Sequence, residues 1–371
     1  MIPVFKPSLG EEEIAAIRET FASGWIGIGP KTEAFEQRFA GYIGTPHAIG
    51  VNSATAALDL SLKAFGIESG EILIPAITFI STAHAAVYNH ATPVLVDVSQ
   101  DTLCMDIDDL QEKITDRARA IIPVHLGGHP CDMGPILELA GDHNLIVIED
   151  AANATGAVYR GQKVGSFGDA GCFSFQATKN MTTGDGGMIT TSHAEIVERL
   201  QRLRWVGIDQ DTWQRDAHPD HYSWYYEVTE IGYKCHMNDI QASIGLVQLQ
   251  KLEVMNAARR RIARIYDHAF SSIPDLSLPV ERPWATHAYW LYTLKMHQRD
   301  AFIAHMSRCG ISTGVHFMPV HHHPCYAALP ADVPVAERIW KEIVDIPIYP
   351  DLTDEELQRI LHAVKTFYLP G

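Results

Sequence analysis

Between residues 47 and 191 short apolar runs alternate with longer stretches whose apolar residues recur at helical spacing. HAIGV (47–51), ILIPA (72–76), PVLVDV (93–98) and AIIPVHL (120–126) read as short strands, and four apolar residues in NLIVIEDAANATGA run without alternation, as in a strand buried on both faces. An apolar helix through Ala86 separates the second from the third, and a helix over 133–142 follows the fourth. The next run, in NLIVIEDAANATGA (144–157), ends in two acids. GCFSFQATKNMTTGDGGMITT (171–191) then supplies two short strands, 172–175 and 188–191. This order predicts right-handed crossovers in a mainly parallel sheet covered by helices on both faces, an α/β fold.

Upstream, residues 11–23 have helical spacing with Ile14, Ile17 and Phe21 on one face, and a second helix is predicted over 31–43. Between them GWIGIGP, which holds Trp25, lacks the GxGxxG spacing and follows no strand, so a dinucleotide loop is not expected. Residues 206–230, rich in Trp, Tyr, His and Asp and without a period, fit either an irregular surface excursion or a lid or interface loop. A long helix is predicted from 239 to about 271, its apolar side carrying Ile240, Ile244, Val247, Leu252 and Met255. Short strands such as TLKMH and helices over 300–308 and 354–365 suggest a compact α+β module beyond it. The predicted division lies within the long helix: a large domain with an N-terminal arm, 1–245, and a smaller C-terminal domain, 246–371.

Composition narrows the class. The 371 residues are 46% hydrophobic and 20% charged, as in a globular protein. A formal charge of −16 disfavours nonspecific nucleic-acid binding but permits a local basic pocket for an anionic substrate. MIPVFKPSLGEEE has neither a basic n-region nor an apolar core, so no signal peptide is expected. Nowhere do eighteen apolar residues run together, so no spanning helix and no membrane partner are expected. Cys104, Cys131, Cys172, Cys235, Cys309 and Cys325 form no CxxC pair, which fits reduced thiols in a cytoplasm.

The candidate chemistry lies after the later strands. Lys179 sits in a polar turn between two apolar strands, where partial desolvation lowers an amine's pKa and frees it to attack a carbonyl; a surface hairpin with a solvated lysine has the same pattern. Ser174 offers a hydroxyl to a phosphate oxygen. Glu149 and Asp150 stand at the carboxyl end of a buried strand, where parallel sheets bind ligands. A lysine amine with an aspartate opposite a pyridinium nitrogen is the pair that pyridoxal phosphate chemistry requires, although an acid there also caps turns. VNSATAAL joins a strand to a helix, so backbone N–H groups with the Ser53 and Thr55 hydroxyls suit a phosphate, or serve as an ordinary cap. Phe79 suits stacking on a flat ring, or a place in the core.

Taken in order, SATAAL, AITFIST, IIPVHLGG, IEDAANATGA, FSFQATKNMTTGDGGM, GYKCHMNDIQASIG and VHFMPVHHHP resemble the DegT/DnrJ/EryC1/StrS family of pyridoxal-phosphate sugar aminotransferases, from GWIGIGP to IPIYPDLTDEE. The resemblance implies the fold-type I aminotransferase architecture and a homodimer with shared active sites. It implies Lys179 as the Schiff-base lysine and Asp150 as partner of the pyridine nitrogen. Ala54, Thr55 and Ser174 would hold the cofactor phosphate, Phe79 would stack on the ring, and Asn153 would face its ring oxygen. Lys234, in a segment reaching the neighbouring subunit's cofactor, would serve a phosphate. Trp25, His316 and His321 would contact substrate. Departures are Asn153 for the usual His or Gln, GDGG for GEGG, KCH (234–236) for NYR, and Phe317 for Tyr. Lys179 argues against the family's dehydratases, which carry His there.

The resemblance further implies L-glutamate as amino donor and a nucleotide-linked keto-sugar as acceptor. The interval in HFMPVH, with SATA, Phe317 and GYK, resembles members that aminate C4. A cyclitol ketone or free sugar as acceptor, or a regulator that binds pyridoxal phosphate without turnover, are the rival readings. No metal is expected of the cluster His316, His321, His322 and His323: three consecutive histidines cannot all face one point on a regular element, and no acid or cysteine completes the set.

Overall fold

The computed structural model describes residues 1–210, 213 and 225–368. Helices α1 (Glu11–Ser23) and α2 (Pro30–Ile43) lead into β1 (His47–Val51) and α3 (Ala54–Ala64). The alternating region follows: β2 (Glu71–Pro75), α4 (Ser81–Tyr88), β3 (Thr92–Val96), α5 (Ile107–Lys113), β4 (Ala118–Ile121), α6 (Met133–His143) and β5 (Ile146–Asp150). A small ribbon, β6 (Val158–Tyr159) and β7 (Gln162–Lys163), precedes β8 (Ala170–Ser174), β9 (Gly187–Thr191) and α7 (Ala194–Arg204). The chain then runs through α8 (Asp239–Phe270), β10 (Ala285–Thr286), β11 (Tyr292–Lys295), α9 (Arg299–Arg308), α10 (Pro334–Ile339), β12 (Ile343–Ile346) and α11 (Asp354–Tyr368).

Seven strands form one sheet in the order β1-β9-β8-β5-β4-β2-β3. Neighbours from β3 to β8 are parallel, whereas β9 runs antiparallel to both β8 and β1. The run of β5 packs on both faces of the sheet as expected, and its neighbours share the pattern. Ile72 and Ile74 enter the core on one face with Ile148 and Cys172, while Leu73, Val147 and Phe173 enter the core on the other. One predicted strand is shorter than its apolar run: β4 stops at Ile121, because Pro123 has no N–H to continue the ladder. The Pro123 carbonyl instead accepts from the Asp150 amide (2.9 Å), which helps fix the end of β5.

Two helices differ from their predicted faces. On α1, Ile14 and Phe21 are exposed, while Glu13 and Thr20 are buried. The Glu13 carboxylate accepts from the Gly10 amide, from Gln248 Nε2 and from Lys251 Nζ, so α1 meets α8 through polar contacts. On α8, Leu252 and Met255 are buried as expected, but Ile240, Ile244 and Val247 are only half-buried. Small residues, Ala242, Ser243 and Gly245, take the inner face there. A Cβ on Gly245 would come within 2.6 Å of the Phe35 ring, so helix and ring meet at a distance only glycine permits. The far end of α8 enters a third core with β11, β12, α9 and α11; Ile2 joins it through a bridge to Ile311. Among the described residues no helix is long and apolar enough to cross a membrane.

Candidate active site

A cavity of about 410 Å³ opens where the parallel strands end at their carboxyl termini. The start of α3 lines it with Ser53, Ala54 and Thr55, the loop from β2 to the start of α4 with Thr78, Phe79 and Ser81, and the end of β5 and the loop after it with Asp150, Ala152 and Asn153. The end of β8 and the loop after it bring Ser174, Gln176, Thr178 and Lys179, and Asp185 and Gly186 precede β9. Distant parts of the chain close the remaining wall with Phe5, Trp290, His316 and Phe317. A depression of the same volume lies at the amino ends of the strands, between Phe65, Arg119 and Asn144; no loop carrying the lysine or the aspartate reaches it.

Successive residues of a strand face opposite sides, and this separates the two acids at the end of β5. Glu149 turns away from the cavity. Its carboxylate accepts from the amides of Gly165 (2.7 Å), Phe167 (2.7 Å) and Gly168 (2.8 Å) and from His125 Nε2 (3.0 Å). Because the Cys131 amide donates to His125 Nδ1 (2.9 Å), Nε2 carries the imidazole proton. Asp150 faces the cavity. Its Oδ2 accepts from Thr82 Oγ1 (2.8 Å) and its Oδ1 from the Ala152 amide (3.1 Å). Burial raises the Asp150 pKa, and these two donors and the Lys179 charge oppose the rise.

The turn bearing Lys179 is held from both sides. Gln176 Oε1 accepts from the amide and hydroxyl of Thr178, the Lys179 amide donates to the Gln176 carbonyl, and Asn180 Nδ2 donates to Asn256 Oδ1 on α8. The lysine side chain is half-buried, but its amine lies in the cavity wall, 3.6 Å from the centroid of the Trp290 ring. Enclosure there lowers its pKa to about 7, with Asp150 pulling in the other direction.

The residues fit pyridoxal phosphate. Asn153 Oδ1 is buried at the cavity without a hydrogen-bond partner, and the Phe79 ring is 54% exposed beside it. Ser53 caps α3 by accepting from the Ala56 amide (3.1 Å), while the first N–H groups of the helix have no intrahelical partner and suit an anion. The β9 backbone passes close by: a Cβ on Gly187 would come 2.5 Å from the Ser53 carbonyl carbon. A phosphate cradle, an aspartate for the ring nitrogen and an amine for the aldehyde thus share one cavity.

Such a cavity on such a sheet defines a pyridoxal-phosphate-dependent aminotransferase of fold type I. The chain belongs to the DegT/DnrJ/EryC1/StrS aminotransferase family, whose sequence profile matches residues 7–365. It is similar to the uncharacterized protein MJ1066 of Methanocaldococcus jannaschii, 44% identical over 98% of this chain and 97% of that one. The spore coat polysaccharide biosynthesis protein SpsC of Bacillus subtilis is 41% identical, over 98% and 96%. Among solved structures, the aminotransferase TlmJ of Streptoalloteichus hindustanus superposes with a TM-score of 0.93 at 34% identity, each chain covered over 100% of its length. The protein is a sugar aminotransferase.

Of the residues singled out in the sequence, Ala54, Thr55, Phe79, Asp150, Asn153, Ser174, Lys179 and His316 line the cavity. Trp25, Lys234 and His321 do not line it within one chain. Trp25 Nε1 donates to the Ile28 carbonyl (2.7 Å), so its indole packs over its own loop. Lys234 is exposed, its amine 4.1 Å from the Trp205 ring centroid. His321 Nε2 lies 2.5 Å from Glu337 Oε1, and His322 Nε2 lies 2.7 Å from the same oxygen. The expectation that no acid meets the histidine run is therefore corrected: α10, distant in sequence, supplies one. These three atoms lie within 4.8 Å of one another, both imidazoles hydrogen-bonded to the one carboxylate oxygen. The ends of the 206–230 stretch pair through Ile208 and Val228; the rest of that predicted lid or interface loop, 211–212 and 214–224, lies outside the described residues.

Three lining or supporting residues carried no sequence signal. Phe5 and Trp290 look like ordinary apolar positions until the chain closes, and Thr82 is one hydroxyl among several in α4.

Proposed function

We propose that the enzyme moves an amino group from L-glutamate to C4 of a nucleotide-linked keto-sugar, with Lys179 bearing the cofactor. The observation that carries this reading is the shared cavity of Lys179 and Asp150 beneath a hydroxyl-lined helix start. When bound, pyridoxal phosphate supplies an electron sink for the carbanion formed at the amino-acid and sugar carbons. Asp150, ionised, holds the ring nitrogen protonated, and Thr82 fixes its oxygen. The Ser53–Thr55 turn and Ser174 would hold the phosphate, with Phe79 and Asn153 positioned for the ring. The Lys179 amine, with a pKa near neutrality, takes the proton from one carbon and returns it to another. His316 bounds the acceptor's entry, and Trp25 and His321, which lie outside the cavity of one chain, would meet the acceptor only in the assembled dimer.

The interval HFMPVH favours C4, and the name of the polysaccharide-biosynthesis relative favours a sugar acceptor over a cyclitol. The intact lysine, aspartate and phosphate turn favour turnover over a purely regulatory role. We read the working unit as a cytoplasmic homodimer in which Lys234 reaches the partner's phosphate. The exposed apolar side chains of Leu9, Ile14, Phe21, Ile26 and Ile231 support a covered surface, and the exposure of Lys234 fits such a reach. We divide each chain at 245/246, inside α8. The test is a panel of nucleotide-linked 3-keto- and 4-keto-sugars with L-glutamate, products resolved by mass spectrometry and NMR. Amination of a 4-keto-sugar is expected; turnover restricted to free cyclitol ketones would refute the acceptor assignment.

A further inference from the structure

Lys179 has to give up its bond to the cofactor during each half-reaction, and its freed amine needs a place within reach. Trp290 supplies one. Its indole is 3% exposed, and the Lys179 amine lies 3.6 Å from the ring centroid. The indole is fixed independently of the lysine: Nε1 donates to the carbonyl of Thr178 (2.9 Å), the residue before Lys179. Phe5 stacks on the ring at 5.2 Å with planes 9° apart, and His316 meets it edge-on at 5.5 Å. We propose that Trp290 is a positioning residue that parks the unbonded Lys179 amine over its ring between half-reactions, shifting its protonation equilibrium towards the ammonium form while the neutral amine remains the reacting species.

The physical reason is the negative face of the indole, which attracts a cation and has no comparable attraction for a neutral amine. An apolar wall of the same size would do the reverse and favour the neutral amine. The other titratable groups lining the cavity are Asp150, Asp185 and His316. Asp345 stands behind His316 (2.6 Å), and His125 lies close enough to Asp150 to act on it. Asp150 also favours the ammonium form, so the contribution of Trp290 must be read by changing Trp290 alone.

This inference rests on the reading of Lys179 as the cofactor-bearing lysine, and that reading has its own test. Borohydride trapping of pyridoxal phosphate on the wild type, mapped by peptide mass spectrometry, should mark Lys179; marking elsewhere would remove that reading without touching the Trp290 contact. The contact is tested on cofactor-free enzyme by the pH dependence of Lys179 acylation with trace acetic anhydride, quantified on the Lys179 peptide. Trp290→Leu should lower the apparent pKa by about one unit, acylating Lys179 about tenfold faster at a pH well below that value. Trp290→Phe, which keeps an aromatic face, should restore most of the shift. Replacing tryptophan with its fluorinated analogues weakens the ring's negative face while preserving its shape, and should lower the pKa stepwise. That series decides the matter where the leucine variant fails to fold. An unchanged pKa across the fluorinated series, or in a folded leucine variant, would overturn the proposal.

Discussion

Thr82→Val tests whether Asp150 works as an ionised partner for the cofactor. Valine has nearly the shape of threonine, so the variant removes the hydroxyl's bonds to Asp150 and to Thr78 Oγ1 (2.8 Å) without opening a cavity. Thr82 is fully buried and its hydroxyl, 2.8 Å from Asp150 Oδ2, is one of two donors to that carboxylate. Hydrogen bonds to charged groups contribute about 1.5–3 kcal/mol, which corresponds to about 1–2 pKa units. The direction follows from the state the bond favours. Thr82 stabilises the carboxylate form, and burial already raises the Asp150 pKa, so losing the bond raises it further. Ionised Asp150 is lost as pH falls through that raised value, and the acid limb of activity should move to higher pH by about one unit. The assay is single-turnover loss of the cofactor's absorption band on adding L-glutamate, followed from pH 5 to 9, with a titration of pyridoxal phosphate affinity beside it. Affinity should weaken by about tenfold. Thr82→Ser should stay near the wild type in both. A valine variant matching the wild type in limb and affinity would show that Asp150 does not depend on this donor.

Glu149→Gln should destabilise the protein by about 3 kcal/mol in urea unfolding, because an amide NH₂ in place of one carboxylate oxygen faces N–H donors; a loss below about 1 kcal/mol would contradict the bonding described. In cofactor-free protein, Lys179 binds its proton less tightly than in the unfolded chain, with a pKa of about 7 against 10.5, so wild-type stability should rise with pH across that window. Lys179→Met should be more stable at pH 7 by up to about 2 kcal/mol, allowing for the partial exposure, with the gap closing towards pH 10.5; a gap independent of pH would refute the cause. If Lys234 serves the partner's site, Lys234→Ala should weaken cofactor retention, and mixing it with Lys179→Ala chains should recover activity at limiting pyridoxal phosphate; no recovery above the separate variants would count against a shared site.

The large sheet was legible because each of its central strands carries a run that only burial on both faces explains, as Ile72 to Ile74 do. Boundaries were less so. The run 120–126 continues past the end of β4 because apolar spacing does not register the missing donor of Pro123. The face of α1 misled for a different reason: Glu13 is buried by partners on α8, 235 residues away in the case of Gln248, and no local pattern encodes them. The same limit applies to the site. Lys179, Asp150, Ser174 and the start of α3 each follow a strand and announce themselves by type. Phe5 and Trp290 acquire meaning only when chain segments more than 280 residues apart meet, since 290 less 5 is 285. Glu337 completes the His321–His322 triad across a turn and a helix for the same reason.

The placement of Phe5 also fixes when the site is finished during synthesis. Residues 2–5 leave the ribosome long before their partners, yet Ile2 is held by main-chain bonds to Gly310 and Ser312, and Phe5 by the ring of Trp290. The strands that carry the lysine and phosphate turns are complete once β9 has emerged, but the lysine turn still waits for Asn256 on α8, and the wall opposite waits for more than a hundred further residues, 312 less 191 being 121. A nascent chain therefore passes through a stage with its reactive lysine present and its cavity open on one side. A bulky fusion placed ahead of residue 2 acts at that last closure, and should slow the appearance of a competent cavity more than it disturbs the finished enzyme.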